Sequence, residues 1–369
     1  PDRHPIFAAA GAAGVRVLSE FDLAARWDRR PLVAITGTDG KTTVTELTRA
    51  MLGASGCRAM AAGNTEVPLV AAIDDPAVDV FVVEASSFRL LHSTRFAPQV
   101  GTWLNVAPDH LDNHRSLEGY IAAKARVWGD QTADQVAIGN ADDPIVMQHL
   151  VRARARHVTF GLRGEADNRL VGDRLLVAGG ELLAEVGELH RSFPHDLSNT
   201  LAAAASSLHA GATLAGARAA LLSFRGLPHR LTLVGEAGEV RWYDDSKATT
   251  PHASRAAVRS FDSVVLIAGG RNKGLDLSQL VEEAARIRGV VAIGEAGPDV
   301  AVAFDGIRPV RSAGSMDDAV AAAASLARPG DAVLLSPACA SFDWYNSYAE
   351  RGDDFVRAVD SLLASSGAR

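Results

Sequence analysis

Eight residues constrain this chain more than any others: Thr36-Gly37-Thr38-Asp39-Gly40-Lys41-Thr42-Thr43. They follow an apolar run over residues 32–35 and precede a helical pattern through Val44, Leu47, Met51 and Leu52. A strand that turns on glycine into a helix needs a parallel partner strand and an α/β layer to cover it. It also makes an anion cradle, because backbone N–H groups and the positive end of the helix dipole face the same point. Lys41 is placed to reach β/γ-phosphates and the Thr42 hydroxyl to meet Mg²⁺. The generic loop has a glycine five places before Gly40; here that place holds Ile35, so the loop is a variant.

The rest of the chain repeats the alternation. Strand patterns are predicted over residues 32–35, 80–83, 100–104, 136–138, 264–268, 290–293 and 332–335. Helical patterns are predicted over 42–54, 117–128, 198–210, 214–223, 251–260, 277–287, 316–326 and 342–363. Residues 162–192 read as short antiparallel strands. A Gly/Pro turn at 225–228 marks a domain boundary, and 369 residues accommodate two or three domains. The expected division is a short segment 1–30, a central α/β domain over 31–225 with a mostly parallel sheet, and a Rossmann-like domain over 226–369.

Charge and cysteine usage narrow the function. A formal net charge of -7 gives no basic footprint for nucleic acid. Cys57 and Cys339 are far apart, in no metal-ligand spacing, which fits a reducing cytoplasm. No apolar run is long enough to span a bilayer.

Polar residues cluster where strands end. Glu84 closes the apolar run Phe81-Val82-Val83, and a carboxylate there is either a Mg²⁺ ligand or a cap or ion-pair partner. Asn64 stands in a glycine turn. His110, in Pro108-Asp109-His110, is either a ligand or a structural histidine, and Lys124 sits on a helix where a lysine is ordinarily solvated. In the second half, Asp244-Asp245-Ser246-Lys247-Ala248-Thr249, Gly269-Gly270-Arg271-Asn272-Lys273 and Ser336-Pro337-Ala338-Cys339-Ala340-Ser341 each follow a strand, so they are expected at one sheet edge.

Together with Glu84-Ala85-Ser86-Ser87-Phe88, Tyr120–Lys124 and Leu227-Pro228-His229-Arg230, these segments resemble the Mur ligase family, over roughly residues 1–365. The Asp-Ser-Lys-Ala-Thr and Ser-Pro-Ala-Cys-Ala-Ser runs resemble its glutamate-adding branch. The resemblance implies three domains: an N-terminal one for the UDP end of the substrate, a central one for ATP, and a C-terminal one that brings the amino acid and closes over the site. Residues 2–7 are similar to the tail of the first, which implies that about 70 residues of it are missing.

The implied reaction is ATP-dependent amide formation through an acyl phosphate, joining glutamate to UDP-N-acetylmuramoyl-L-alanine in a cytoplasmic, expectedly monomeric enzyme. Its catalytic group would be Lys41, Glu84, His110 and Lys124. Gly37, Thr38, Asp39, Gly40, Lys41, Thr42 and Thr43 would hold the ATP phosphates, with Asn199, Arg230 and Asp245 for adenine, phosphate and ribose. Thr42, Glu84, His110 and a carbamylated Lys124 would serve Mg²⁺. Asn64, Ser86 and His110 would contact the muramoyl-alanine end; Lys247, Thr249, Lys273, Ser341, Phe342 and Tyr348 would form the glutamate pocket. The chain departs from the family at Asp39, Thr65-Glu66-Val67, Arg89, Asp196, Phe342 and Tyr348. The last two leave D- and L-glutamate both open. Other superfamily ligases, such as folate-polyglutamate enzymes, and a non-catalytic nucleotide-binding relative are the competing readings.

Overall fold

The computed structural model describes residues 5–366 apart from 66, 110–113 and 115. The chain divides into two compact units, Pro1–Arg225 and Gly226–Arg369.

The first unit is built on a nine-stranded sheet in the order β2-β3-β1-β4-β5-β6-β7-β8-β9. The strands are β1 (Leu32–Thr36), β2 (Ala59–Gly63), β3 (Val80–Glu84), β4 (Val100–Trp103), β5 (Val136–Asn140), β6 (Arg156–Gly161), β7 (Asn168–Val171), β8 (Arg174–Leu176) and β9 (Leu182–Glu185). All pairings from β2 to β7 are parallel, and β7–β9 form the expected antiparallel extension.

Strands β1 and β3 read as unbroken apolar runs because both faces of the sheet are covered. On one face Val33, Ile35, Val82, Val100 and Ile138 pack with the helices Lys41–Ala54, Pro194–His209 and Leu214–Ser223. On the other, Ala34, Phe81, Val83, Trp103 and Ala137 pack with residues of the helices Glu20–Trp27, Leu117–Gly129 and Pro144–Leu150. The long alanine run of Pro194–His209 lets that helix lie close against the sheet: Ala202, Ala203, Ala204 and Ala205 are all fully buried.

The second unit holds a six-stranded sheet in the order β10-β11-β15-β12-β13-β14. Its strands are β10 (Thr232–Ala237), β11 (Val240–Asp244), β12 (Val264–Gly269), β13 (Ile287–Ile293), β14 (Val310–Ala313) and β15 (Ala332–Leu335). Only the β10–β11 hairpin is antiparallel. The helices Met316–Leu326 and Tyr348–Ser366 supply Met316, Val320, Phe355 and Val359 to one face of its core.

Two helical expectations change. The pattern over 342–363 starts too early: the N–H groups of Trp344 and Tyr345 bond the Ser341 carbonyl at 3.2 and 2.9 Å, which makes a turn, and the helix begins at Tyr348. Residues 277–286 are helical but wound as a 3₁₀ helix, Leu277–Arg286, held laterally by Glu282 and Glu283 against Arg255 and Arg259. Strand β2, whose sequence is Ala-Met-Ala-Ala-Gly, was not expected.

Candidate active site

In each unit the polar turns meet where neighbouring strands leave the sheet in opposite directions, which is where α/β proteins form ligand crevices. In the first unit this point is β1, flanked by β3 and β4. In the second it is the group β11, β15 and β12.

After β1 the chain turns through Gly37 to Gly40, which has a φ of 84° and caps the helix Lys41–Ala54. That left-handed φ favours glycine, and a Cβ there would also come 2.5 Å from the Asn199 Oδ1. The Val44 N–H reaches back to the Gly40 carbonyl at 2.9 Å, so helix geometry leaves the N–H groups of residues 41–43 as the donors of the cradle. The N–H groups of Thr38 and Asp39, expected in that cradle, instead donate to the Asn105 Oδ1, both at 2.9 Å. The Asn105 Nδ2 donates to the Asp39 carbonyl at 3.2 Å. Asn105 thus templates the loop from the end of β4, a role its sequence position does not show.

Two lysines converge on the loop. The Lys41 ammonium donates to the carbonyls of Gly37 and Thr38 at 2.9 and 2.7 Å. Lys124, from the helix Leu117–Gly129, donates to the same Gly37 carbonyl at 2.5 Å and lies 4.4 Å from the Tyr120 ring centroid. It is not a solvated lysine, being 1% exposed. Burial, reinforced by the nearby Lys41 charge and opposed by Asp109 and Asp39, holds its ammonium well below the usual lysine range. Tyr120 is fixed in turn by a 3.2 Å hydrogen bond to the Thr38 hydroxyl.

Glu84 ends β3 opposite Ile35 of β1 and Gly63 of β2. Its Oε1 accepts from the Asn64 Nδ2 at 3.2 Å, which joins two residues named from sequence. Its Oε2 is buried with no partner among the described residues. An unshared carboxylate oxygen beside a phosphate cradle fits a divalent cation, which would satisfy it. The described residues contain no group of three or more His, Cys, Asp or Glu able to hold a metal. His110, expected at the metal, lies outside the described residues, as does Glu66.

Ser86 is buried at the start of the helix Ser87–Leu91, its hydroxyl without a partner among the described residues. Next to it the Ser87 hydroxyl is 2.9 Å from the His114 Nε2, and His114 stacks on Phe88. Arg89 pairs with Glu20, whose other oxygen accepts the Val70 N–H at 3.2 Å. A cleft lined by Thr43, Leu47, Leu189, Arg191, Asn199 and Leu221 opens beside the loop helix. Asp196, at its wall, is held by Arg191 through two bonds of 3.2 Å.

In the second unit Asp245 faces inward. Its Oδ2 accepts the Ser336 hydroxyl at 2.8 Å and its Oδ1 the Leu231 N–H at 3.2 Å. Burial pushes its carboxyl up to about 7 against the opposing pull of Ser336 and Arg230. Asp244 takes the His229 Nδ1 at 2.7 Å. Gly352 packs against that pair, where a Cβ would lie 2.1 Å from the His229 Nδ1.

The Lys247 ammonium stands 3.7 Å from the Tyr348 ring centroid, a cation–π contact between two expected pocket residues. Ser341 is buried, Thr249 half-buried, and Phe342 58% exposed. Lys273 is exposed on the glycine turn after β12. That turn is tied to the Ser336–Ser341 turn by the Arg271–Ala340 bridge. Sequence reasoning missed Arg351, which is 1% exposed and reaches from the helix Tyr348–Ser366 into these turns.

Comparison with known proteins agrees with this geometry. Residues 35–207 match the Mur ligase middle domain, and residues 229–339 the Mur ligase glutamate ligase domain. The chain is 44% identical over 374 residues to UDP-N-acetylmuramoylalanine–D-glutamate ligase of Frankia casuarinae, covering 97% of this chain and 78% of the relative. It is 43% identical to the enzyme of that name from Desulfosudis oleivorans, covering 98% and 80%. Among solved structures, the MurF ligase of Thermotoga maritima in complex with ADP superposes with a TM-score of 0.72 at 20% identity, over 95% of this chain and 86% of that one. The UDP-N-acetylmuramate-alanine ligase of the same organism gives 0.65 at 18% identity, over 98% and 84%. With both domains matched in order and relatives above 40% identity along almost its whole length, the chain belongs to the Mur ligase family.

Proposed function

We propose that this protein is the ligase that adds D-glutamate to UDP-N-acetylmuramoyl-L-alanine at the expense of ATP, in peptidoglycan precursor synthesis. The observation that carries the reading is the convergence of Lys41 and buried Lys124 on the Gly37 carbonyl, beside the unshared Glu84 oxygen, in a chain 44% identical to an enzyme of that name.

The chemistry is positioning and charge neutralisation. The first-turn N–H groups of residues 41–43 and the Lys41 ammonium hold the triphosphate. The alanyl carboxylate oxygen attacks the γ-phosphorus, the bond to ADP breaks, and an acyl phosphate forms. The glutamate amine then attacks the carbonyl carbon, loses a proton, and expels inorganic phosphate. Thr42 and Glu84 would hold Mg²⁺, which when bound would supply charge neutralisation at the transferring phosphoryl group.

Lys124 has the environment for a second role. Burial lowers the pKa of this amine, which raises the share of the free base that attacks carbon dioxide, and the resulting carbamate is an anionic oxygen donor. Asn199 and the cleft beside Thr43 suit the base of the nucleotide. Lys247, Lys273 and Ser341 suit the two glutamate carboxylates, since each lysine acts as a mobile point charge.

The test is phosphate release and product formation from ATP, UDP-N-acetylmuramoyl-L-alanine and either D- or L-glutamate. Turnover with D-glutamate is expected. Turnover only with L-glutamate would reassign the stereochemistry, and no turnover with either would reject the reading. Lys273→Ala should raise the glutamate KM at least about tenfold through loss of one charge contact. Native mass spectrometry in bicarbonate reads the Lys124 carbamate.

A further inference from the structure

Among the described residues, Arg351 is the largest buried cation of the second unit, and the hydrogen-bond acceptors it reaches are neutral. Its Nε donates to the Ser246 hydroxyl at 2.9 Å, one terminal nitrogen to the Ser246 carbonyl at 2.8 Å, and the other to the Cys339 carbonyl at 3.1 Å. The Ser246 hydroxyl in turn donates to the Tyr348 carbonyl at 2.7 Å. The guanidinium also packs on Gly270, where a Cβ would sit 3.1 Å from its terminal nitrogen. One planar fork therefore joins the turns after β11, β12 and β15. Those are the turns that carry Lys247, Lys273 and Ser341.

A guanidinium buried without a carboxylate bonded to it is costly to keep, and a core of this kind is packed as well by an apolar side chain. What the fork supplies is geometry: its donors lie in a fixed plane, so they set the separation of the Ser246 and Cys339 backbones. Ser246 precedes Lys247 directly, and Cys339 stands two residues before Ser341. A ligand that bridges those side chains by its two ends reads this separation as a length.

We propose that Arg351 is a positioning residue that sets the span of the amino-acid pocket, and so selects a five-carbon dicarboxylate over shorter and longer ones. The proposal rests on the glutamate-ligase reading above and deepens it.

The experiment compares wild type with Arg351→Lys, Arg351→Met and Ser246→Ala. KM and kcat are measured for glutamate and for its one-carbon-shorter and one-carbon-longer homologues, aspartate and 2-aminoadipate, and KM for ATP alongside. Circular-dichroism melting reports folding. The expected result is a rise of at least about tenfold in glutamate KM for Arg351→Lys, with ATP KM within twofold. The ratio of kcat/KM for glutamate over its homologues should fall by a similar factor. Ser246→Ala, which removes one acceptor and leaves the charge, should show the same pattern in weaker form. Should Arg351→Met fail to fold, the lysine and Ser246 variants carry the test. Lower melting temperatures with unchanged glutamate KM and unchanged length preference would overturn the proposal and leave the ligase reading intact. Absence of wild-type turnover with any of these amino acids would overturn both.

Discussion

Asn105→Ala isolates the part of the phosphate loop that the loop does not itself encode. The substitution removes the acceptor shared by the Thr38 and Asp39 N–H groups and the donor to the Asp39 carbonyl. At a net value of about 1 kcal/mol per bond these contacts amount to about 3 kcal/mol. Solvent reaches this half-buried edge and replaces part of them, leaving about 2 kcal/mol of bias toward the ordered loop. That loss has two places to appear. If the loop stays ordered, it lowers the melting temperature by about 4–8 °C for a unit of this size. If the loop disorders, the nucleotide must reorder it, and at 1.4 kcal/mol per decade the affinity falls about 30-fold. Calorimetric ATP titration and a melt on the same preparation measure both, and the two losses together should total about 2 kcal/mol. A variant that keeps its affinity within twofold and its melting point within a degree would refute the templating role.

Three further expectations follow from the same geometry. Gly40→Ala places a side chain at a φ of 84° and 2.5 Å from the Asn199 Oδ1. The backbone strain alone is about 1–2 kcal/mol, so nucleotide affinity should fall about five- to thirtyfold; an alanine variant with wild-type affinity would contradict this. Lys124→Met should reduce turnover at least about hundredfold while leaving the melting point equal or higher, because an apolar chain replaces a buried amine. Retained turnover would remove Lys124 from the chemistry. Asp245 has its carboxyl raised to about 7 in the folded state, so the unfolded chain ionises first as pH rises. Its contribution is full below pH 3.8 and is lost progressively up to about pH 7. The melting temperature of Asp245→Asn, relative to wild type, should therefore climb between pH 4 and 7; parallel curves would show that Asp245 ionises normally.

The fold was legible where chemistry and burial coincide. Strands β1, β3, β12 and β15 are covered on both faces, so β-branched and aliphatic runs announce them. Strand β2 is equally regular but reads as alanine and glycine, which favour no strand. The aromatic cluster at 342–345 mimics a helix, yet Ser341 turns the chain there first. In the site, Lys41 and Glu84 were readable because they stand at a helix start and a strand end; Lys124, midway along the helix Leu117–Gly129, and Asn64, in a turn, were picked out only by the family resemblance. Asn105 and Arg351 were not readable, because their partners are mostly backbone atoms that only the topology brings near. A side chain whose work is to hold carbonyls and N–H groups has no partner that a sequence pattern can name.

The burial of Cys339 has a practical corollary. Its carbonyl anchors Arg351 while its thiol, 1% exposed, is pushed up to about 12 by burial. Thiolate is the reactive form, so alkylating and oxidising agents find nothing to attack while the turn stays closed. Cys57, half-buried in the first unit, is the accessible reference. The lag between the two labelling rates is then a built-in clock for opening of the turn that Arg351 holds, readable on the unmodified protein without a fluorophore or an added cysteine.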